Sequence, residues 1–224
     1  LNKIIIYIIR ERDCLKKINY KLHIGVIGER DKGKNMILEF LSHLALTYSS
    51  SSINSEFQII HQSIPLKVKV FQGEKIKDFV ALYNSIEYLD GIIQILDLHD
   101  PHSITQILQD NYIEFYNLYN FQGSKILAAV DMNLINGKIN EERLRISRLS
   151  LVRKTQELNF IYCFEITNKQ SDFAELFDKI FDDAILKFKL SNPELYEQAL
   201  NYGNVLSNQY NHENKKNGLK MMNG

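Results

Sequence analysis

Leu22-His23-Ile24-Gly25-Val26-Ile27-Gly28-Glu29-Arg30-Asp31-Lys32-Gly33-Lys34-Asn35 decides how the chain is to be read. Its first six residues form a short apolar run of the kind a buried strand uses. Gly28 to Lys34 then spell G-x-x-x-x-G-K, the phosphate-loop pattern, with Asn35 where that pattern has Ser or Thr. Met36 to Leu46 is apolar enough for a buried helix. A strand before the motif and a helix after it are the context the pattern needs. Gly28 and Gly33 would let the backbone wrap a phosphate closely. The N–H groups of Glu29, Arg30, Asp31, Lys32, Gly33, Lys34 and Asn35 would form an anion nest at a helix N-terminus, and Lys34 would add a point charge. The competing explanation is a chance match in a glycine-containing turn. Asn35 is a weak candidate for a magnesium ligand, because an amide oxygen copies poorly a hydroxyl that bridges metal and phosphate.

Working outward, Thr47 to Ser52 reads as a polar loop. Phe57–Gln62 and Leu66–Phe71 read as an antiparallel hairpin around Ser63-Ile64-Pro65, with Leu66, Val68 and Val70 on one face. Gln72 and Gly73 lead into a helix near 77–88. Gly91–Leu98, Lys125–Val130 and Phe160–Phe164 read as buried strands. Helices are expected over 102–119, 140–158 and 171–190, the last carrying Phe173, Leu176, Phe177, Ile180 and Phe181. Alternation of strands and helices predicts an α/β fold with a parallel sheet covered on both faces. Ligands in such sheets bind at the carboxyl ends of the strands, where the glycine-bearing loop falls. The expected organisation is an N-terminal extension over 1–19, a domain over 20–190, a short helix over 191–206 and a disordered tail over 207–224.

Composition narrows the classes. Among 224 residues, 27 Lys and Arg balance 27 Asp and Glu, which gives no electrostatic case for nucleic acid or an anionic membrane surface. Arg143, Arg145, Arg148, Arg153 and Lys154 read as a solvated basic face rather than an RNA groove. The two cysteines, Cys14 and Cys163, have no metal-ligand spacing and suggest a reducing, cytoplasmic setting. Ile4–Ile9 is too short to span a membrane and lacks a small-residue cleavage site; it reads as an extra strand or a stretch with no fixed place in the fold.

With these elements in place, residues 20–190 resemble a Ras-like small GTPase. The order matches: phosphate loop, polar switch-like segment, antiparallel hairpin, then alternating strands and helices. The resemblance implies a three-layer P-loop NTPase fold, with a mostly parallel six-stranded sheet, one antiparallel hairpin strand and helices on both faces. It implies GTP or GDP as ligand, magnesium as a possible companion, and a protein partner contacted through the switch-like loops. No C-a-a-X sequence supports prenyl anchoring.

The resemblance also assigns positions. The family's D-x-x-G falls on Val70-Phe71-Gln72-Gly73, so the aspartate is replaced and Gly73 remains. Glu74 stands at the water-positioning place, with a solvated loop or helix-start residue as its plainer reading. The base-reading N-K-x-D falls on Val130-Asp131-Met132-Asn133. Asn133 there offers one donor and one acceptor where guanine needs two acceptors; Asp131 takes that place in a shifted register, and both residues could instead cap the strand end. S-A-K falls on Thr167, Asn168 and Lys169. Asp97 and Asp100 are expected as turn and cap residues.

The function these positions imply is guanine-nucleotide binding by a switch or scaffold, with weak or absent GTP hydrolysis and no confident catalytic residue. A pseudo-GTPase that keeps the fold and binds no nucleotide is the alternative. A phosphate-loop ATPase or kinase of another lineage is a third reading, disfavoured by the hairpin.

Overall fold

The computed structural model describes residues 19–28, 31–51, 54–80, 89–131, 146–167 and 169–222. Seven strands form one mixed sheet: β1 (Tyr20–Ile27), β2 (Thr47–Ser50), β3 (Asn54–His61), β4 (Ile64–Gly73), β5 (Gly91–Asp97), β6 (Ser124–Val130) and β7 (Tyr162–Ile166). Their order across the sheet is β2-β3-β4-β1-β5-β6-β7. β4, β1, β5, β6 and β7 run parallel; β2 and β3 pair antiparallel.

Helices cover both faces. The period-two alternation of the strands sorts their side chains between two cores. Leu22, Ile24 and Val26 of β1, Val68 and Val70 of β4, and Ile126 and Ala128 of β6 face α1 (Asp31–Leu44) and α5 (Gln170–Ser191). Phe40 of α1 stacks on Phe173 and Phe177 of α5 at 5.6 and 5.5 Å. Ile27, Phe71, Ile92, Leu96 and Leu127 face the other way, toward a 3-10 turn at Ile76–Phe79 and helices α2 (Pro101–Gln109), α3 (Tyr112–Leu118) and α4 (Arg148–Glu157). Gln94 also faces this side and is buried; the Tyr112 hydroxyl donates to its Oε1. The last helix, α6 (Pro193–Met222), joins the first core through Ala199, Tyr196 and Leu200.

The expected six-stranded, mostly parallel sheet is corrected to a seven-stranded mixed one. Thr47–Ser50, read as loop, is a strand pairing Thr47 with Gln58 and Ser50 with Ser55. All four of its residues are exposed, so no apolar alternation marked it. It is held by backbone pairing and by Tyr48, which stacks on Phe57 at 4.9 Å.

The β3–β4 hairpin is tighter than the sequence suggested. Pairing continues to His61 and Ile64, leaving Gln62 and Ser63 as a two-residue turn with φ of 47° and 63°. Positive φ at both central positions matches strand twist, although neither residue is glycine.

Other boundaries moved. The single helix expected over 102–119 is two, because Asp110 and Asn111 interrupt it; the Asp110 carboxylate accepts the Ile76 N–H at 3.4 Å. In the helix expected near 77–88 the 3-10 turn is described, and residues 81–88 lie outside the described part, as do 140–145 of the helix expected over 140–158. The short helix over 191–206 and the disordered tail over 207–224 give way to one helix reaching Met222. No proline follows Pro193, and the distal half shows no apolar stripe that could have announced a helix. The expected N-terminal extension lies outside the described residues up to residue 18.

Candidate functional site at the carboxyl edge of the sheet

Because five strands run parallel, their carboxyl ends share one edge. Gly28 after β1, Gly73 at the end of β4, the Asp97–His99 turn after β5, Asp131 after β6 and Thr167 after β7 gather there. Topology therefore brings these described members of the sequence-predicted set to one edge. What each side chain does there differs from residue to residue.

The Gly28 N–H donates to the Gly73 carbonyl at 3.1 Å, tying the start of the expected phosphate loop to the end of β4. Glu29 and Arg30 lie outside the described residues. α1 already begins at Asp31, so Asp31, Lys32, Gly33, Lys34 and Asn35 are helical. Gly33 and Lys34 are buried, Lys34 only 5% exposed, while Asn35 is exposed. A buried ammonium needs compensation, and Lys34 does interact within the chain.

Gly73 has a packing reason independent of any ligand. A Cβ there would meet Phe79 at 2.8 Å and Asp78 at 3.2 Å. Glu74 is exposed; its N–H, with that of Lys75, donates to one carboxylate oxygen of Asp78, both at 2.9 Å. That is a helix-start arrangement, matching the plainer reading of Glu74. Val70, where the resemblance places an aspartate, is fully buried in the apolar core. Among the described residues no group of three His, Cys, Asp or Glu side chains is placed to hold a metal ion. Of the two positions that the resemblance ties to magnesium, Val70 is apolar and offers no oxygen ligand, and Asn35 is exposed on α1.

Asp131 is committed to a neighbour. Its Oδ1 lies 2.9 Å from His99 Nε2, and both side chains are largely buried, at 13% and 14% exposure. The Asp131 N–H donates to the Ile166 carbonyl at 3.0 Å, linking β6 to β7. Asn133 lies outside the described residues. Asp97 accepts the His99 N–H at 2.9 Å and Asp100 accepts the His102 N–H at 3.0 Å, so both are turn and cap residues as expected. The His99–Asp131 pair was not legible in the sequence: its members lie 32 residues apart, just beyond the ends of two separate strands, and only sheet order joins them.

Thr167 is likewise engaged. Its hydroxyl and its N–H donate to the same Asp172 oxygen, at 2.6 and 2.9 Å. The Lys169 N–H reaches the Thr167 hydroxyl at 3.3 Å, and Lys169 is the exposed N-cap of α5. Asn168 lies outside the described residues. Burial pushes the Asp172 carboxyl up, but the Thr167 hydroxyl and N–H, the Ser171 hydroxyl and the Lys169 charge together hold it below its ordinary value.

No protein-family model matches the chain, and no curated protein matches it significantly.

Proposed function

We propose that the chain is a small-GTPase-like protein that binds a guanine nucleotide at the carboxyl edge of its sheet and acts as a switch or scaffold through partner contacts, with weak or absent GTP hydrolysis. The observation that carries this reading is the position of the glycine-bearing turn. It lies between β1 and α1, at the carboxyl end of a central parallel strand, with Lys34 four residues into the helix. The order β3-β4-β1-β5-β6-β7 supports the three-layer arrangement that the resemblance implies. Slow hydrolysis follows from chemistry: Val70 and Glu74 supply neither a metal-linked carboxylate nor a water-orienting amide.

Fluorescent GDP and GTP titrations, with and without magnesium, test the proposal. Saturable binding weakened at least about tenfold by Lys34→Ala supports it. No saturable binding at high micromolar protein overturns it.

Two contacts favour the second reading, an interaction module that binds no nucleotide. Thr167 spends both its donors on Asp172, and Asp131 is paired with His99. Both groups would have to give up internal partners to meet a base. On this reading the carboxyl-edge loops serve as a protein-contact surface alone.

A further inference from the structure

A cavity of about 330 Å3 lies at the opposite edge from the candidate site, where β5 and β6 begin. Three elements wall it. They are Leu89 and Asp90 just before β5, the turn from Tyr119 to Gly123 between α3 and β6, and Lys187 near the end of α5. A volume near 300 Å3 is at the lower end of what small-molecule sites enclose, roughly 300–1,000 Å3.

The walls are held in place from within. The Phe121 N–H donates to the Tyr116 carbonyl and the Ser124 N–H to the Asp90 carbonyl, both at 2.9 Å. Gln122 Nε2 donates to Asn120 Oδ1 at 2.9 Å, and Asn120 takes a φ of 46°, a left-handed conformation that Asn tolerates. The Phe121 ring stacks on Tyr116 at 5.6 Å. Lys187 Nζ donates to the Gln122 carbonyl at 2.9 Å, which ties α5 to the same turn. The cavity is thus formed by the fold itself and does not wait for a ligand to assemble it.

Two opposite charges line this cavity with bonding capacity to spare. Asp90 Oδ2 accepts the His23 N–H at 2.8 Å, while its Oδ1 makes no hydrogen bond among the described residues. Burial holds the Asp90 carboxyl above its ordinary 3.8, and the His23 N–H and the charges of His23 and Lys187 only partly offset the lost solvation. A ligand cation would supply the rest. Lys187 spends one of its three ammonium donors on Gln122 and keeps two. Leu89, Tyr119 and Phe121 add apolar wall. A ligand that is only a cation would meet Lys187, and one that is only an anion would meet Asp90. A ligand carrying both charges suits both residues.

We propose that this cavity binds a small zwitterion, a free α-amino acid with an apolar side chain. Its ammonium meets Asp90, its carboxylate meets Lys187, and its side chain lies against Tyr119 and Phe121. The site shares no residue with the candidate nucleotide edge, so it stands whether or not a nucleotide binds there.

Amide chemical-shift titration of the full chain with L-phenylalanine and L-leucine tests the inference. Phenethylamine and 3-phenylpropionate serve as controls, each keeping the phenylalanine side chain and lacking one charge. At least one amino acid should give saturable shifts concentrated at Tyr119–Ser124 and Lys187, and each control should bind about tenfold more weakly than phenylalanine or worse. Lys187→Gln should weaken amino-acid binding about tenfold and should not weaken phenethylamine. Asp90→Asn should weaken amino-acid binding about tenfold and should not weaken 3-phenylpropionate. A urea midpoint for each variant separates lost binding from lost fold. No saturable shift with either amino acid up to roughly 10 mM overturns the proposal. So do shifts confined to other parts of the chain, binding that both variants leave unchanged, or a control that binds as tightly as phenylalanine.

Discussion

The hydroxyl and the backbone N–H of Thr167 end on the same oxygen of Asp172, at 2.6 and 2.9 Å. One carboxylate therefore joins the end of β7 to the first turn of α5 at the edge where a ligand would bind. Asp172→Asn should cost about 1–2 kcal/mol in urea unfolding at neutral pH, since it weakens two charge-assisted hydrogen bonds beside a helix N-terminus. The folded-state carboxyl titrates below its ordinary value of 3.8, so its stabilising contribution is complete above that value and disappears as acidification passes the lower folded value. The variant should lose stability less steeply over that acid range; parallel profiles for the two proteins would contradict the assignment.

Asp90 has the opposite sign. Burial raises its carboxyl above 3.8, only partly offset by the His23 N–H, 2.8 Å from Oδ2, and by the charges of His23 and Lys187. A raised folded-state value means the contribution is greatest at low pH and is lost as pH rises through it. Asp90→Asn keeps an acceptor for His23 and removes the buried charge. It should be neutral or stabilising by up to about 1 kcal/mol at pH 7, whereas Asp90→Ala, which abandons the His23 N–H, should destabilise by about 1–2 kcal/mol. Chemical denaturation of both variants at pH 7 checks the order.

Gly203 sets how closely α6 approaches the β3–β4 turn. A Cβ there would lie 1.8 Å from the Ser63 carbonyl oxygen and 3.0 Å from Pro65. Alanine favours a helix interior over glycine by roughly 1 kcal/mol, so local propensity and packing pull in opposite directions. Packing should win: Gly203→Ala is expected to destabilise by about 1–3 kcal/mol and to speed amide exchange in α6. Unchanged exchange there would show that the helix shifts without penalty.

Asn35 is exposed in the first turns of α1. If magnesium-dependent GTP binding is limited by this side chain, Asn35→Ser should raise the affinity severalfold. An affinity unchanged while nucleotide still binds would locate the deficit elsewhere, first at Val70, which is apolar and fully buried. Isothermal titration with GTP at fixed magnesium reads the difference.

The parts of the fold visible in the sequence are those marked by apolar periodicity. β4 carries an apolar alternation, β1, β5 and β6 carry near-continuous apolar runs buried on both faces, and Phe173 to Phe181 mark α5 because one face must cover the sheet. β2 escaped because an exposed edge strand needs no apolar face, and the distal half of α6 because its sequence, rich in Asn and Lys, carries no apolar stripe. At the candidate site the glycine-bearing loop was visible as a pattern. The partners of Asp131 and Thr167 were not. His99 meets Asp131 only through strand order, and Asp172 hides in the polar first turn of a helix whose apolar face drew the attention.

The opposite edge of the sheet is built differently. There Asp90 bonds both the N–H and the carbonyl of His23, and its own carbonyl takes the Ser124 N–H at 2.9 Å, joining the starts of β1, β5 and β6. Asp90 thus acts as a rivet through three parallel strands at the end of the sheet away from the candidate site, so substitutions in the carboxyl-end loops leave this junction untouched.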